Sequence, residues 1–268
     1  MKEGARFGPA KRSLGQNFLV DANLQHKIVD ALGAGPGDDV LEIGPGRGAL
    51  TRHLVGTVRR LVLVELDDDL ARALEARHGH RDDVRVVHGD VLEEPLRDRF
   101  AAWDRVRVVG NIPYNITSPI LFRLLEAPRP LEIVLMVQEE VADRITAPPG
   151  TKAYGALSVG VRAVADAEKL FRVGRGAFRP VPGVDSAVVR IRPRASVASF
   201  DEEKLRTLVR AAFQWRRKQM RKILRDHADL GLSADRAEAV LEGVGLDPSV
   251  RPERLAPETF VALSAALP

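Results

Sequence analysis

Cysteine is absent from all 268 residues. The chain can therefore hold no disulfide, no thiolate-bound zinc and no iron–sulfur cluster. Nor can it use a cysteine nucleophile, the group that attacks C6 of a pyrimidine. The six histidines offer no ligand spacing better than His78-x-His80, a pair in a polar stretch that reads as solvated surface, so no metal site is expected. Apolar runs of the ~18 residues that a membrane-spanning helix needs are missing. Met1-Lys2-Glu3-Gly4 opens without an apolar signal region, and a cytoplasmic protein with no membrane partner is expected. Acids, too, are missing from one stretch: between Lys204 and Arg225 there are nine Lys or Arg and no Asp or Glu. The remainder is a soluble chain able to build a core, 45% hydrophobic and 29% charged with a formal net charge of +4. Its length suits one large domain, or a large and a small one.

The most informative stretch is Gly110-Asn111-Ile112-Pro113-Tyr114-Asn115, directly behind the apolar run Val106-Arg107-Val108-Val109. Such a run reads as a buried strand, and the C-terminal ends of strands are where open α/β sheets bind ligands. Asn111 offers a carboxamide oxygen that can accept from an exocyclic amine. Ile112, ahead of a proline, is held extended, so its carbonyl can point into the same space. Tyr114 supplies a flat face for a base. Two acceptors and one aromatic plate suit an adenine held by its N6 amine. That amine is a poor nucleophile because its lone pair is delocalised into the ring, and acceptors on both N–H groups favour a localised pair. Taken alone, the same residues also read as an Asn-x-Pro turn ending a strand.

Neighbouring strands repeat the pattern. Asp39-Val40-Leu41-Glu42-Ile43 leads into Gly44-Pro45-Gly46-Arg47-Gly48 and a helix from about Ala49. The G-x-G-x-G spacing differs from the dinucleotide fingerprint, and Glu42 in front of it would repel phosphates but suit the positively charged end of S-adenosylmethionine. Arg60–Glu65 is a strand ending in an acid 21 residues after Gly44, the offset at which a carboxylate takes ribose hydroxyls. Val84–Val87 leads to Asp90, placed to accept from a cofactor adenine amine, with Val91 against the ring. Each acid alone reads as a turn residue or helix cap; three at successive strand ends read as a site. Ahead of them, Gln16 and Asn17 sit among apolar residues before a helical pattern running to Leu32. Behind them, Thr117-Ser118-Pro119 should start a helix with a hydroxyl cap, and Leu131–Val137 should be a fifth strand with a helix opening at Gln138. A short helix near Leu157–Ala165 precedes strands at Ala167–Val173 and Ser186–Ile191. Between these, Pro180 and Pro182 stiffen a loop that holds Phe178 near the strand ends.

Pro193 to Ser199 is a polar linker, giving domains 1–195 and 196–268. The second shows only helical periodicities, and its one-signed basic block with Phe213 and Trp215 inside it reads as a phosphate-binding surface.

Together these residues resemble the ribosomal RNA adenine N6-dimethyltransferases, specifically the KsgA (RsmA) branch acting on small-subunit RNA. The likeness runs from Ser13 to Leu267 through Gln16-Asn17-Phe18-Leu19, Glu42-x-Gly44-x-Gly46-x-Gly48, Glu65, Asp90-Val91 and Asn111-Ile112-Pro113-Tyr114. It continues through Tyr154-Gly155, Phe178-x-Pro180-x-Pro182-x-Val184-x-Ser186 and Arg216-Arg217-Lys218-x-x-Arg221. The resemblance implies an α/β fold, a class I (Rossmann-like) seven-stranded methyltransferase sheet with a small C-terminal all-helical domain that binds RNA. It implies S-adenosylmethionine as methyl donor and, as substrate, two adjacent adenosines in the 3′-terminal hairpin of 16S ribosomal RNA in the 30S precursor, each receiving two methyls from a monomeric enzyme. By position it gives cofactor contacts to Asn17, Leu19, Gly44, Glu65, Asp90 and Asn111, with Gln16, Glu42, Gly46, Gly48 and Val91 supporting. Asn111, Ile112, Pro113 and Tyr114 would hold the target base, with Phe178 on its other face, and Arg216, Arg217, Lys218, Arg221 and Lys222 would meet RNA. Glu139, Ala156, Met220 and Lys222 depart from the residues the family often carries. The alternatives are the related 23S enzymes of macrolide resistance, which share Asn-Ile-Pro-Tyr, and an assembly factor acting mainly by binding.

Overall fold

Apolar runs of the first half become buried strands. The computed structural model, which describes residues 10, 11, 14–194 and 200–268, places β1 at Phe18–Leu19, β2 at Asp39–Ile43, β3 at Arg60–Glu65, β4 at Val84–His88 and β5 at Val106–Asn111. Further on come β6 at Glu132–Gln138, β7 at Ala165–Val173, β8 at Phe178–Arg179 and β9 at Ser186–Pro193. The helices are α1 Ala22–Leu32, α2 Thr51–Leu54, α3 Asp68–His78, α4 Thr117–Leu124, α5 Glu139–Thr146 and α6 Ala156–Arg162. After the linker follow α7 Glu202–Gln214, α8 Met220–Asp226, α9 Ala234–Gly243 and α10 Pro257–Ala266.

Seven strands form one sheet in the order β4-β3-β2-β5-β6-β9-β7, the α/β sheet expected. Strands β4 to β6 run parallel, and β9 returns antiparallel to β6. The chain order reverses between β2 and β5, and such a switch point opens a crevice at the strand ends. Register decides what meets there. Ile43 pairs with Val64 on one side and Gly110 on the other, so Gly44, Glu65 and Asn111 leave the sheet at one level. Glycine at 110 is what allows this approach, because a Cβ there would lie 2.6 Å from the Ile43 carbonyl oxygen.

The helices that position this edge are capped by acids. Asp21 accepts from Leu24 N (3.0 Å) at the start of α1, and Gly33 at φ 60° ends it. On α1, Ile28 and Leu32 lie four apart and are both fully buried, facing a core that includes Leu19, Val109, Met136, Phe178 and Val188. Several local expectations differ: Gln138 closes β6 instead of opening a helix, and Ala165 opens β7 instead of ending one. The helix expected near Ala49 starts at Thr51 and is one turn long. In α4, Thr117 is the first helical residue, not a cap, and its hydroxyl turns back toward the carbonyls of Pro113 (3.5 Å) and Tyr114 (3.4 Å). A feature without periodicity to announce it is the small sheet in which β1 pairs antiparallel with β8, Leu19 opposite Phe178.

The chain divides into two compact units, Met1–Ala142 with Glu168–Pro193, and Asp143–Ala167 with Arg194–Pro268. Residues 143–167, placed with the first domain on sequence grounds, pack in the second. The reason is visible in Tyr154, which is fully buried, meets Phe213 edge-on at 5.8 Å and donates its hydroxyl to Leu255 O at 2.6 Å. Phe213 in turn lies 5.8 Å from Phe260. Among the described residues, no helix is long and apolar enough to cross a membrane.

Candidate active site

A cleft at the switch point is lined by Gly15, Gln16, Asn17, Phe18, Gly44, Gly46, Glu65, Leu66, Asn111, Pro113 and Tyr114. A second hollow shares Phe18 and Asn111 with it and adds Leu19, Glu42, Pro45 and Arg47. Phe18 borders both. Its ring packs on Gly46, where an added Cβ would be 3.2 Å away, and the Arg47 guanidinium lies 4.2 Å over it. Gly46 has φ 58°, a left-handed backbone that glycine adopts without cost.

Glu65 holds this loop in place. It accepts from Gly46 N and from Asp67 N, both at 2.9 Å. Burial pushes its carboxyl pKa up, and the backbone donors oppose that shift. Glu42 lies deeper, 1% exposed, with Thr51 Oγ1 donating to it at 2.7 Å. Burial raises its pKa to about 8, helped by the nearby Glu65 charge. The acid expected to meet a cation is thus a largely protonated group in the wall of the second hollow.

Asn111 ends β5 half-buried, and its Nδ2 donates to Asn17 O at 2.9 Å. That bond commits the amide nitrogen and leaves Oδ1 as the acceptor edge. Asn17 is itself fastened, its side chain donating to Gly15 O at 3.1 Å. Beyond Pro113, Tyr114 opens a single 3-10 turn, and its hydroxyl lies 2.6 Å from Ser186 Oγ. Ile112 is 1% exposed, so its side chain belongs to the core.

Gln16 and Lys11 are tied to two acids at the start of α3, Asp67 and Asp69, that strand-end reasoning missed. Gln16 donates to Asp67 Oδ2 at 2.8 Å, and Lys11 Nζ bonds Asp67 at 2.9 Å and Asp69 at 2.8 Å. Burial pushes the Asp67 carboxyl up, but its bonds from Lys11 and Gln16 outweigh that and hold it below the usual value. A pair of acids opening α3 was the available signal.

Asp90, Val91, Phe178 and Gly48 lie outside both hollows. Asp90 accepts from Leu92 N at 2.8 Å as a turn cap, and Val91 is buried. Leu19 lines the second hollow and also packs in the core. Phe178 is fully buried in the same cluster, held there by the β1–β8 pairing, and presents no face to a base in this structure. Gly44 lies 3.5 Å (from its would-be Cβ) from Asn111 O, and Gly48 packs near Thr51 and Leu74. Glu139, one of the departures, pairs with Arg172 at 3.0 Å.

The basic block is less one-signed in space than in sequence. Arg216 binds Glu253 at 2.8 Å and the carbonyls of Thr151 and Lys152 at 2.9 Å each, a clamp inside the second unit and not a free RNA contact. Arg210 pairs with Asp229 and Arg225 with Asp226, acids that lie just past the end of the one-signed window. Arg217, Lys218, Arg221 and Lys222 are exposed; Arg221 Nε donates to Gln219 at 3.2 Å.

A family model described as "Ribosomal RNA adenine dimethylase" matches residues 9–260. Among curated relatives, the "Ribosomal RNA small subunit methyltransferase A" of Geobacter metallireducens is 44% identical, covering 99% of this chain and 97% of its own length. That of Acinetobacter baylyi is 43% identical over 95% of this chain and 91% of its own. Among solved structures, a dimethyladenosine transferase from Plasmodium falciparum matches with TM-score 0.80 at 26% identity, covering 92% of this chain and 95% of the other. The 23S rRNA methyltransferase ErmE matches with TM-score 0.70 at 30% identity, covering 94% and 99%.

Proposed function

Because the chain belongs to the ribosomal RNA adenine dimethylase family, we propose that it transfers methyl groups from S-adenosylmethionine to two adjacent adenosines near the 3′ end of 16S ribosomal RNA. Its substrate in this reading is the small-subunit precursor particle, its place of work the cytoplasm, and its active form a monomer. The observation that carries the reaction is the Asn111 amide, which lines the cleft with Tyr114 and has its nitrogen held by Asn17 O, so that its oxygen is left to accept.

The cleft suits the cofactor's chemistry. Gly44 and Gly46 present bare backbone with positive φ, and Glu65 offers acceptors for a pair of hydroxyls. Leu66, 46% exposed in the cleft wall, gives an apolar surface for a base. When bound, the cofactor supplies an electrophilic methyl carried on a sulfonium. The chain's own residues do the rest. Asn111 Oδ1 accepts from the target amine and localises its lone pair, the Tyr114 ring orients the base, and the amine loses its proton after attack, so no strong base is required.

Two outcomes test this assignment. Glu65→Ala should weaken cofactor binding by about 1.5–3 kcal/mol, the worth of a hydrogen bond to a charged acceptor; calorimetry giving wild-type affinity would take Glu65 out of the site. With labelled cofactor, transfer should go to unmethylated 30S particles and spare 50S. Transfer to 50S would favour the 23S reading, and binding without transfer would favour an assembly factor.

RNA binding is assigned to the exposed part of the basic block. Neutralising Arg217, Lys218, Arg221 and Lys222 together should leave cofactor affinity unchanged and flatten the salt dependence of particle binding, by about 0.7–0.9 log units of slope for each phosphate that no longer meets a cation. Equal slopes for variant and wild type would make this block a solvated face.

A further inference from the structure

We propose that Ser186 is a positioning residue for methyl transfer, anchoring the Tyr114 ring on which the target adenine stacks. The proposal rests on the reading above that Tyr114 holds the base.

Tyr114 sits on a one-turn 3-10 segment between Pro113 and α4. Such a segment has little sheet pairing of its own to fix a ring plane. A stacking plate works only if its plane is set before the base arrives, since ordering it at the moment of binding costs part of the stacking gain. The ring's far end, its hydroxyl, is where a fixed partner has the most leverage over that plane. Ser186 provides it, Oγ to hydroxyl 2.6 Å.

The anchor is itself rigid. Ser186 is fully buried and opens β9, where it pairs opposite Gln138 of β6. The residue before it, Asp185, accepts from Arg175 N at 2.8 Å and from the Arg172 guanidinium at 2.5 Å, and its carbonyl accepts from Glu139 N at 3.0 Å. Strand order puts β5, which delivers Tyr114, next to β6, and β6 next to β9. The hydrogen bond therefore passes the stiffness of three paired strands to an aromatic group on a loop. Ser186 is one of the few polar groups wholly buried in the first unit, and the interior of β9 is otherwise apolar from Ala187 to Val189. A buried hydroxyl keeps such a position only with a partner, and Tyr114 is that partner.

The experiment is a double-mutant cycle of Tyr114→Phe and Ser186→Ala on full-length protein, with saturating cofactor and unmethylated 30S particles. Wild-type transfer is measured first; its absence overturns the functional reading and the proposal together. Given wild-type transfer, each single variant should lose roughly 2- to 10-fold in kcat, the range for one hydrogen bond. KM for the particles and cofactor affinity should stay near wild type. The double variant should be no slower than the slower single. A double variant whose loss is the product of the two single losses overturns the proposal, as does Tyr114→Phe with wild-type kcat. If Ser186→Ala fails to fold, Tyr114→Phe decides alone: kcat lowered with KM unchanged supports the anchor, and kcat unchanged removes it.

Discussion

Asn111→Ala is expected to lower methyl transfer by about 100-fold or more, the range for removing one preorganised polar group aimed at developing charge. The substitution deletes both ends of a relay. Oδ1 is the acceptor for the target amine, and Nδ2 is the donor that fixes the amide to Asn17 O at 2.9 Å. Fold and stability should hold, because Asn111 is half-buried at a strand end and the neighbouring core residues, Val109 and Ile112, are untouched. Cofactor affinity should fall less than the rate, since Asn111 is one of many groups lining the cleft. Asn111→Asp is the more telling variant. It keeps an acceptor but replaces the Nδ2–H donor with an oxygen that faces the Asn17 carbonyl, so the carboxylate must swing away. Single-turnover rates on 30S particles check both variants, and a near-wild-type rate for Asn111→Ala would remove the residue from the reaction.

Glu42→Gln should make the cofactor-free protein more stable relative to wild type as pH rises. Glu42 is wholly buried with a pKa raised from 4.5 to about 8. Below about pH 4.5 the carboxyl is neutral in folded and unfolded chains and contributes no pH dependence. Between that value and about 8 the folded chain holds a proton that the unfolded chain has released. More protons are then bound in the native state, so stability falls with rising pH, by about 1.4 kcal/mol per unit. Above about 8 both states are ionised and the loss levels off. Glutamine is neutral throughout and can still accept from Thr51, so the other titrating groups cancel in the comparison. The stability difference between variant and wild type should therefore grow by about 3 kcal/mol between pH 5 and 8. Urea unfolding at several pH values measures it. A difference that stays flat with pH would mean that Glu42 is ionised in the native protein.

These two residues mark where local reading works and where it stops. The strand ends were legible: alternation of apolar runs with glycine, Asn or an acid places Gly44, Glu65 and Asn111 at the close of β2, β3 and β5 without any knowledge of the sheet. The family motifs, read along the chain, then carry the fold class, because a motif is a local object. The end of α1 at Leu32 was readable for the same reason.

Whatever depends on a partner distant in sequence was settled only by tertiary structure. Glu42 and Glu65 look alike as acids at strand ends. Burial pushes both carboxyls up, but Glu42 has only Thr51 to oppose the shift and is kept largely protonated. Glu65 is met by the backbone N–H groups of Gly46 and Asp67; burial and neighbours, not residue type, divide them. Phe178 looked like a base-stacking group beside a rigid loop, but pairing of β8 with β1 turns it wholly into the core. Arg216 stood in a run of cations, and the carboxylate that claims it, Glu253, lies 37 residues away. Tyr114 was chosen for its flat face, and the role of its hydroxyl appeared only once β9 had returned antiparallel beside β6 and brought Ser186 to it. Sequence by itself determined which chemical groups stand at the sheet's edge, because strand periodicity and turn residues act over a few positions. Charge state, exposure and orientation were decided by folding, because each is an energy summed over neighbours that the chain brings together from far apart.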